Sequence, residues 1–346
     1  MPVDAVGPIR TEDLTDLVRT FLEAAGAIPA EARLVADQLV DAEARESHAQ
    51  GLIRLPPYVG WSRNGTIVSP TEVTVEQECG ATLVLDAHNG WGQVAAMRAM
   101  DLCIERAQQT GICLAVVRNT NHIGRLGYYV EAAAEQGMIG LIAGSGNPAS
   151  AWVAPWGGVK PLFGTNPIAF GFPRESAPPV VVDISTTQGA RGRVLMAQRL
   201  GELLPEGWAF EASGDPTRDP AKALPPHGTL APLGGHKGYA LAVAIEILCG
   251  VLGGMWPPES SVNLVGAIRV EAFLPLDEYY RSLDALIEAI KSGPAAPGIE
   301  EILLPGEGSV TRKARTTAAG VSVPANLWSE ITDLAREMGV HHRLVA

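Results

Sequence analysis

One histidine stands where two apolar segments meet. His122 lies in the polar run Asn119-Thr120-Asn121-His122-Ile123-Gly124, after a strand-like stretch (112–117) and before a helical one near Tyr128. Groups at such junctions are held by rigid elements yet open onto a surface, and imidazole titrates near neutral pH. His122 therefore suits a step in which an alcohol gains or loses a proton. The competing reading is a histidine that only packs or is solvated. Arg54, in the run Gly51-Leu52-Ile53-Arg54-Leu55-Pro56-Pro57-Tyr58, precedes a proline-enforced bend. A guanidinium there can fork onto a substrate carboxylate, or simply face solvent. Gly234-Gly235-His236-Lys237-Gly238 opens an apolar helix. Free N–H groups beside a lysine suit a pyrophosphate, and the glycines equally suit close helix–sheet contact. Asp183 ends an apolar strand, with Ser185, Thr186 and Thr187 beyond it, so its carboxylate can accept ribose hydroxyls or cap a turn. Glu307, after Pro305-Gly306, offers a similar choice between ribose acceptor and solvated charge.

The elements that must position these groups follow from periodicity and punctuation. A first helix is predicted to end at Gly26, and a second from about Pro29 through Ser47, with Leu34, Val35, Leu39 and Ala42 on its buried face. Two strands follow, one around 73–78 and one in Ala-Thr-Leu-Val-Leu-Asp, then a long helix over 90–111 and the strand leading to His122. Residues 138–144 form a continuous apolar strand, as expected where both faces are covered. The Pro- and Gly-dense stretch 146–173 reads as folded loops, and 203–233 as a connector. Residues 239–252 are predicted as a buried helix, 277–291 as an amphipathic helix, 300–308 as a strand running into a turn, and 324–338 as a closing helix.

The chain has 346 residues, enough for two domains with full cores, and a formal net charge of −12 that argues against a nucleic-acid partner. No apolar run approaches the roughly 20 residues that span a bilayer. The N-terminus lacks an apolar signal core. Cys79, Cys103, Cys113 and Cys249 show no metal or redox spacing and read as reduced core thiols of a cytoplasmic protein. His, Cys and carboxylate positions make no metal set. No Gly-x-Gly-x-x-Gly follows a strand and opens a helix; Gly144-Ser145-Gly146-Asn147-Pro148-Ala149 has the wrong spacing, so an ordinary Rossmann domain loses support.

Taken together, Asn119-Thr120-Asn121-His122-Ile123-Gly124-Arg125-Leu126-Gly127-Tyr128-Tyr129, the segments 153–158, 161–173 and 181–187, the 234–248 helix and Leu303-Leu304-Pro305-Gly306-Glu307-Gly308 resemble the type 2 malate/L-lactate dehydrogenase family. The resemblance runs over roughly residues 10–335, with the motifs in the family's order. It implies a non-Rossmann α+β fold of the sulfolactate dehydrogenase-like kind, with mixed sheets and a helical substrate and dimer domain. It also implies NAD or NADP and a homodimer with active sites near the subunit boundary. By motif matching, His122 takes the acid/base place. Asp183, Ser185, Thr186, Lys237, Gly306 and Glu307 lie along the cofactor, and Gly146 and Asn147 near the nicotinamide. We expect 1–118 with 295–346 to form the helical domain and 119–294 the cofactor domain.

Two features depart from the family pattern. Where the family usually has Ser-His-Gly-x-x-Arg, this chain reads Ser47-His48-Ala49-Gln50-Gly51-Leu52-Ile53-Arg54. With Gly51 and Arg54 in register, Ala49 and Gln50 take the Ser and His places, and His48 falls two residues early, about 200° around an α-helix. Gln50 can hydrogen-bond a substrate but carries no charge. Second, the loop after Gly254 is shorter than usual. The expected activity is hydride transfer between nicotinamide and C2 of a small 2-hydroxy or 2-oxo acid, with Arg54 on its carboxylate. The alternatives are reduction of a cyclic imine or specialised metabolite, and a cofactor-binding relative without turnover. Arg191 and Arg193 are candidates for a cofactor 2′-phosphate.

Overall fold

An apolar strand run needs cover on both faces, and the central sheet has it. The computed structural model describes residues 5–146, 148–257 and 259–345. Asn147, assigned above to the nicotinamide end, lies outside them. The main sheet has seven strands in the order Thr74–Cys79, Thr82–Asp86, Ile112–Thr120, Ser261–Arg269, Met138–Ser145, Ile168–Phe172 and Val180–Ile184. Only Thr82–Asp86 and Ile112–Thr120 run parallel; every other pair is antiparallel. The sheet takes strands from both sides of residue 118.

The helices Gly92–Thr110 and Gly127–Glu135 bury Ala95, Ala99, Cys103, Tyr129 and Ala133 against Leu85, Ala115, Val117, Ile142 and Val265 on one face. On the other face, Ile245 and Cys249 pack on Val116, Ala143 and Leu264. A separate helical layer is built from Thr11–Ala24, Pro29–Ala44, Leu55–Arg63 and Ala325–Met338, joined to the two-stranded pair Ala5–Ile9 and Val321–Pro324. Between the two, 203–233 is more than a connector: Ala209–Glu211, Pro216–Thr217 and Gly228–Leu230 form a small sheet beside the helix Arg191–Leu200, with Val153, Val194 and Leu230 in its core.

Four local expectations are corrected. The second helix stops at Ala44, and Glu46 takes a positive φ of 59°, so 48–50 is a 3-10 turn rather than α-helix. The helix predicted over 239–252 spans His236–Glu246 and passes into a π-helical stretch, Ile247–Val251, where Ile247, Leu248 and Val251 are exposed. Residues 300–306 form no strand. Glu307 instead begins a helix, Glu307–Ala319, that apolar periodicity did not reveal, because its 13 residues include no buried side chain. Cys79 is exposed, unlike the other three thiols, and all four are free.

Two glycines set the distance between sheet and helix. A Cβ on Gly171 would stand 2.3 Å from the Val130 carbonyl oxygen, and one on Gly140 would stand 2.8 Å from Val130 Cα. Both positions meet helix backbone, which cannot swing aside as a side chain can. Gly171→Ala is therefore expected to cost about 1–3 kcal/mol, seen as a lower urea midpoint at unchanged slope; an unchanged midpoint would show that the helix can retreat freely.

Candidate active site

The turn carrying His122 is fixed from several sides. Asn119 adopts a positive φ of 52°, tolerable for its short polar side chain, and its Nδ2 donates to Asp86 Oδ2 at 2.7 Å. Thr120 Oγ1 donates to Asn263 Oδ1 at 2.7 Å, and Asn121 Nδ2 to the Asn89 carbonyl at 2.8 Å. Behind the turn, the Tyr129 hydroxyl donates to the Ile123 carbonyl. A Cβ on Gly92 would lie 2.4 Å from the His122 carbonyl oxygen, so glycine lets the Gly92–Thr110 helix begin directly against the turn.

The imidazole meets the helical layer through Tyr58. The Tyr58 hydroxyl and His122 Nδ1 are 2.6 Å apart, and Gln93 Nε2 donates to the same hydroxyl at 2.8 Å. A buried O–H must find an acceptor, and with Gln93 already donating, that acceptor is Nδ1. Burial also pushes the Tyr58 pKa well up, which keeps its proton in place. Nδ1 thus accepts, and Nε2 is the nitrogen left to act on a ligand. Burial, reinforced by the positive charges of Arg54 and Arg191, holds the His122 pKa well below the ordinary value of 6.5.

Arg54 lies four residues before Tyr58, on the same side of the helical segment. Its Nε donates to the Ala49 carbonyl at 2.7 Å, and it makes no ion pair among the described residues. Gln50 comes with this 3-10 segment, and its Oε1 is buried without a hydrogen-bond partner. His48 goes elsewhere: Nδ1 meets Glu43 Oε1 at 2.5 Å, and the side chain is half exposed. Glu43 raises the His48 pKa, and its Oε2 accepts from the Leu52 N–H at 2.9 Å.

The other sequence candidates fall along one strand, Val180–Ile184, and its continuation. At its start, the Val181 N–H donates to the Pro305 carbonyl at 3.2 Å, which brings Gly306 alongside. In its middle, Asp183 Oδ2 accepts from the Gly127 N–H at 2.8 Å, at the start of the helix behind His122. At its end, Thr186 is buried with Oγ1 donating to the Thr165 carbonyl. Its own carbonyl accepts from the Leu233 N–H, which draws in 234–238. From Val181 to Thr186 is roughly 16 Å at about 3.3 Å per residue. Ser185 bonds Thr187 Oγ1 at 2.9 Å, and Lys237 is exposed with no acidic partner among the described residues. Glu307 is engaged by the Leu304 N–H at 2.8 Å and by Lys291 Nζ at 2.8 Å, which together lower its pKa against burial. Gly146 stands near Asn166, whose Oδ1 is buried without a partner: a Cβ on Gly164 would lie 3.2 Å from that oxygen and 3.6 Å from Gly146 N.

Sequence reasoning gave no role to Tyr58 or Gln93. The four-residue spacing of Arg54 and Tyr58 was the available signal for the first; Gln93 has no sequence-local relation to the site. An open surface hollow of about 520 Å³, lined by Pro56, Asn326 and Glu330, holds none of these residues. Among the described residues no His, Cys, Asp and Glu cluster could hold a metal, and no helix is long and apolar enough to cross a membrane.

Comparison with known proteins adds a pedigree to this geometry. The malate/L-lactate dehydrogenase family model matches residues 9–332. The L-sulfolactate dehydrogenase of Methanothermobacter thermautotrophicus is 36% identical over 345 residues, covering 96% of this chain and 98% of that protein. The Delta(1)-pyrroline-2-carboxylate reductase 2 of Burkholderia multivorans is 33% identical over 344 residues, covering 96% and 98%. The crystal structure of malate dehydrogenase from Entamoeba histolytica superposes with a TM-score of 0.91 at 27% identity, covering 98% of this chain and 99% of that one.

The Tyr58 contact generates a direct test. Tyr58→Phe removes the donor to Nδ1 but keeps the ring, so turnover should fall about 10- to 100-fold with cofactor affinity within about twofold of wild type. Steady-state kinetics beside cofactor titration checks this, and unaltered turnover would remove Tyr58 from the account.

Proposed function

Because the chain belongs to the malate/L-lactate dehydrogenase family, we propose that it transfers hydride between a nicotinamide cofactor, NAD or NADP, and C2 of a small 2-hydroxy or 2-oxo acid, with His122 moving the proton. The observation that carries this reading is the half-buried His122, held at Nδ1 by Tyr58 and feeling two guanidinium charges that no carboxylate among the described residues neutralises. Cations left unpaired in a site call for an anionic ligand.

When bound, the dinucleotide donates or accepts hydride at its nicotinamide ring. The residues present fit it. Lys237 and the N–H groups opening the His236–Glu246 helix suit the pyrophosphate. Asp183, Ser185, Thr186, Gly306 and Glu307 line the strand that the cofactor would follow. The unpartnered Asn166 Oδ1, beside Gly146, is an acceptor at the nicotinamide end.

Arg54 binds the substrate carboxylate and orients C2. In reduction the ring is the imidazolium, with Nδ1–H on a Tyr58 hydroxyl turned to accept it, and Nε2 gives its proton to the oxygen on which negative charge develops; in oxidation the step reverses, and with the ring's own proton on Nδ1 the bare Nε2 takes the alcohol proton. A second reading, reduction of a C=N bond in a cyclic imino acid, is favoured by Gln50, an amide where the family has histidine. His48, turned to Glu43, supplies no replacement.

The exposed Ile247, Leu248, Val251, Leu252 and Trp256 form an apolar face beside the sheet, which supports a homodimer through a second copy of this chain. Four free thiols support a cytoplasmic setting.

His122→Ala should lower turnover by about 10²–10⁴ while cofactor affinity stays nearly intact. In the wild type, kcat/KM for oxidation requires neutral imidazole, so it should decline only as pH falls through a value below 6.5; kcat/KM for reduction requires the protonated form and should decline as pH rises through that same value. Unchanged turnover in the variant, or a controlling pKa at or above the ordinary imidazole value, would contradict the assignment.

A further inference from the structure

Arg191 and Arg193 sit two positions apart at the start of the helix Arg191–Leu200, about 200° around its axis. They face different surroundings. Arg193 is exposed, and its charge is felt by His48 on the outer side of the 3-10 segment. Arg191 turns the other way. Its guanidinium carbon lies over the Trp152 ring, 3.7 Å from its centroid, a cation–π contact that holds the group in place. Its Nε is buried without a hydrogen-bond partner, and no carboxylate among the described residues pairs with it.

A short chain of contacts places this group relative to the substrate site. The Ala49 carbonyl accepts from Arg54 Nε at 2.7 Å. The other side of Ala49 abuts the residue after Arg191, since a Cβ on Gly192 would stand 2.3 Å from Ala49 Cβ and 2.7 Å from its Cα. Small residues at both positions let the helix settle directly on the 3-10 segment, and Arg191 comes to the side of Arg54 as a result. The contrast with the rest of the interior is instructive. Arg45 and Arg125 are buried more deeply than Arg54 and Arg191, and both are paired with Asp41 and Glu131. Glu43, the buried carboxylate nearest in sequence to this segment, is already used by His48 and the Leu52 N–H. Two guanidinium groups without counter-charges among the described residues, at one site, leave one more cation than a single carboxylate satisfies.

We propose that Arg191, laid on Trp152 and set beside Arg54 through the Ala49–Gly192 contact, is the specificity residue that holds a second anionic group at the end of the substrate away from the carboxylate on Arg54. The inference deepens the 2-oxo acid reading and rests on it. It also separates Arg191 from the cofactor: a residue beside Arg54 and His122 selects substrate, not a 2′-phosphate. A carboxylate and a sulfonate present the same charge to the guanidinium fork, so either class of second group is accommodated.

The test compares wild type with Arg191→Gln and Arg191→Lys on oxaloacetate, 3-sulfopyruvate and pyruvate, using NADH and NADPH in turn. Arg191→Gln should lower the ratio of kcat/KM for the better of the two dianions to that for pyruvate about 10- to 100-fold, the release of the His122 imidazole from one positive charge being common to all three substrates. Arg191→Lys should recover part of the loss, because charge returns without the planar fork. The better dianion in the wild type tells carboxylate from sulfonate. An equal fall on dianions and pyruvate, or a selective loss of NADPH affinity, would overturn the proposal. Should the wild type turn over none of the three, the hydroxy-acid reading fails by itself, and calorimetry on the NADH-loaded protein still decides Arg191. Succinate should then bind at least about tenfold more tightly than propionate in the wild type and equally in Arg191→Gln; no such difference in the wild type would sink the assignment.

Discussion

The site depends on one hydrogen bond between two layers. Tyr58 belongs to the helical layer and His122 to the end of a sheet strand, and the 2.6 Å contact at Nδ1 is where the layers agree on a geometry. Gln93, at the start of the helix packed on the sheet, completes it by donating to the same hydroxyl. Each partner settles the others: the amide donation directs the tyrosine proton to Nδ1, and that proton fixes which imidazole nitrogen remains for a ligand. The glycines around the turn serve this arrangement. Gly92 lets helix backbone touch the His122 carbonyl, and Gly140 and Gly171 let the following helix lie close on the sheet.

Charge is distributed unevenly around this bond. Arg45, Arg125 and Lys313 share Asp41 or Glu131 in a network joining the second helix, the helix after His122 and the helix that Glu307 begins. That network is satisfied and holds the architecture. Among the described residues Arg54 and Arg191 have no ion-pair partner, and both weigh on His122. In this account an arriving anionic substrate relieves burial and repulsion together: it neutralises the guanidinium charges, raises the imidazole pKa, and brings a proton into place when there is something to protonate. The depressed pKa of the ligand-free site and a proton-donating role are then two stages of one process.

Much of the fold was legible because its signals are local. The continuous apolar run at 138–144 reads as a strand covered on both faces, and Met138–Ser145 lies inside the sheet with helices on either side. The strand–turn–helix around His122 is carried by asparagines and glycines whose backbone demands are visible in sequence. What sequence did not show depends on distance. Nothing near Asp183 says that its carboxylate meets the N–H of Gly127, 56 positions away. The α-helix expected through Ser47 ends at Ala44, yet His48 still turns away from Gln50, to Glu43, because two residues of a 3-10 turn also lie on different sides, about 240° apart. The Glu307–Ala319 helix escaped because an unburied helix leaves no apolar stripe to read. The exposed apolar side chains of Ile247–Val251 look like core in sequence, and a surface covered by another copy has the same composition.

The claim beneath all of this is that His122 rests neutral, with Tyr58 donating to one nitrogen and the proton on the other. Nitrogen-15 NMR of the imidazole in the full-length protein, at about pH 7, observes that state directly. The account predicts a neutral ring carrying its proton on Nε2, moving toward imidazolium when a dicarboxylate is added. A ring already cationic without ligand, or one carrying its proton on Nδ1 and indifferent to added dicarboxylate, would contradict it.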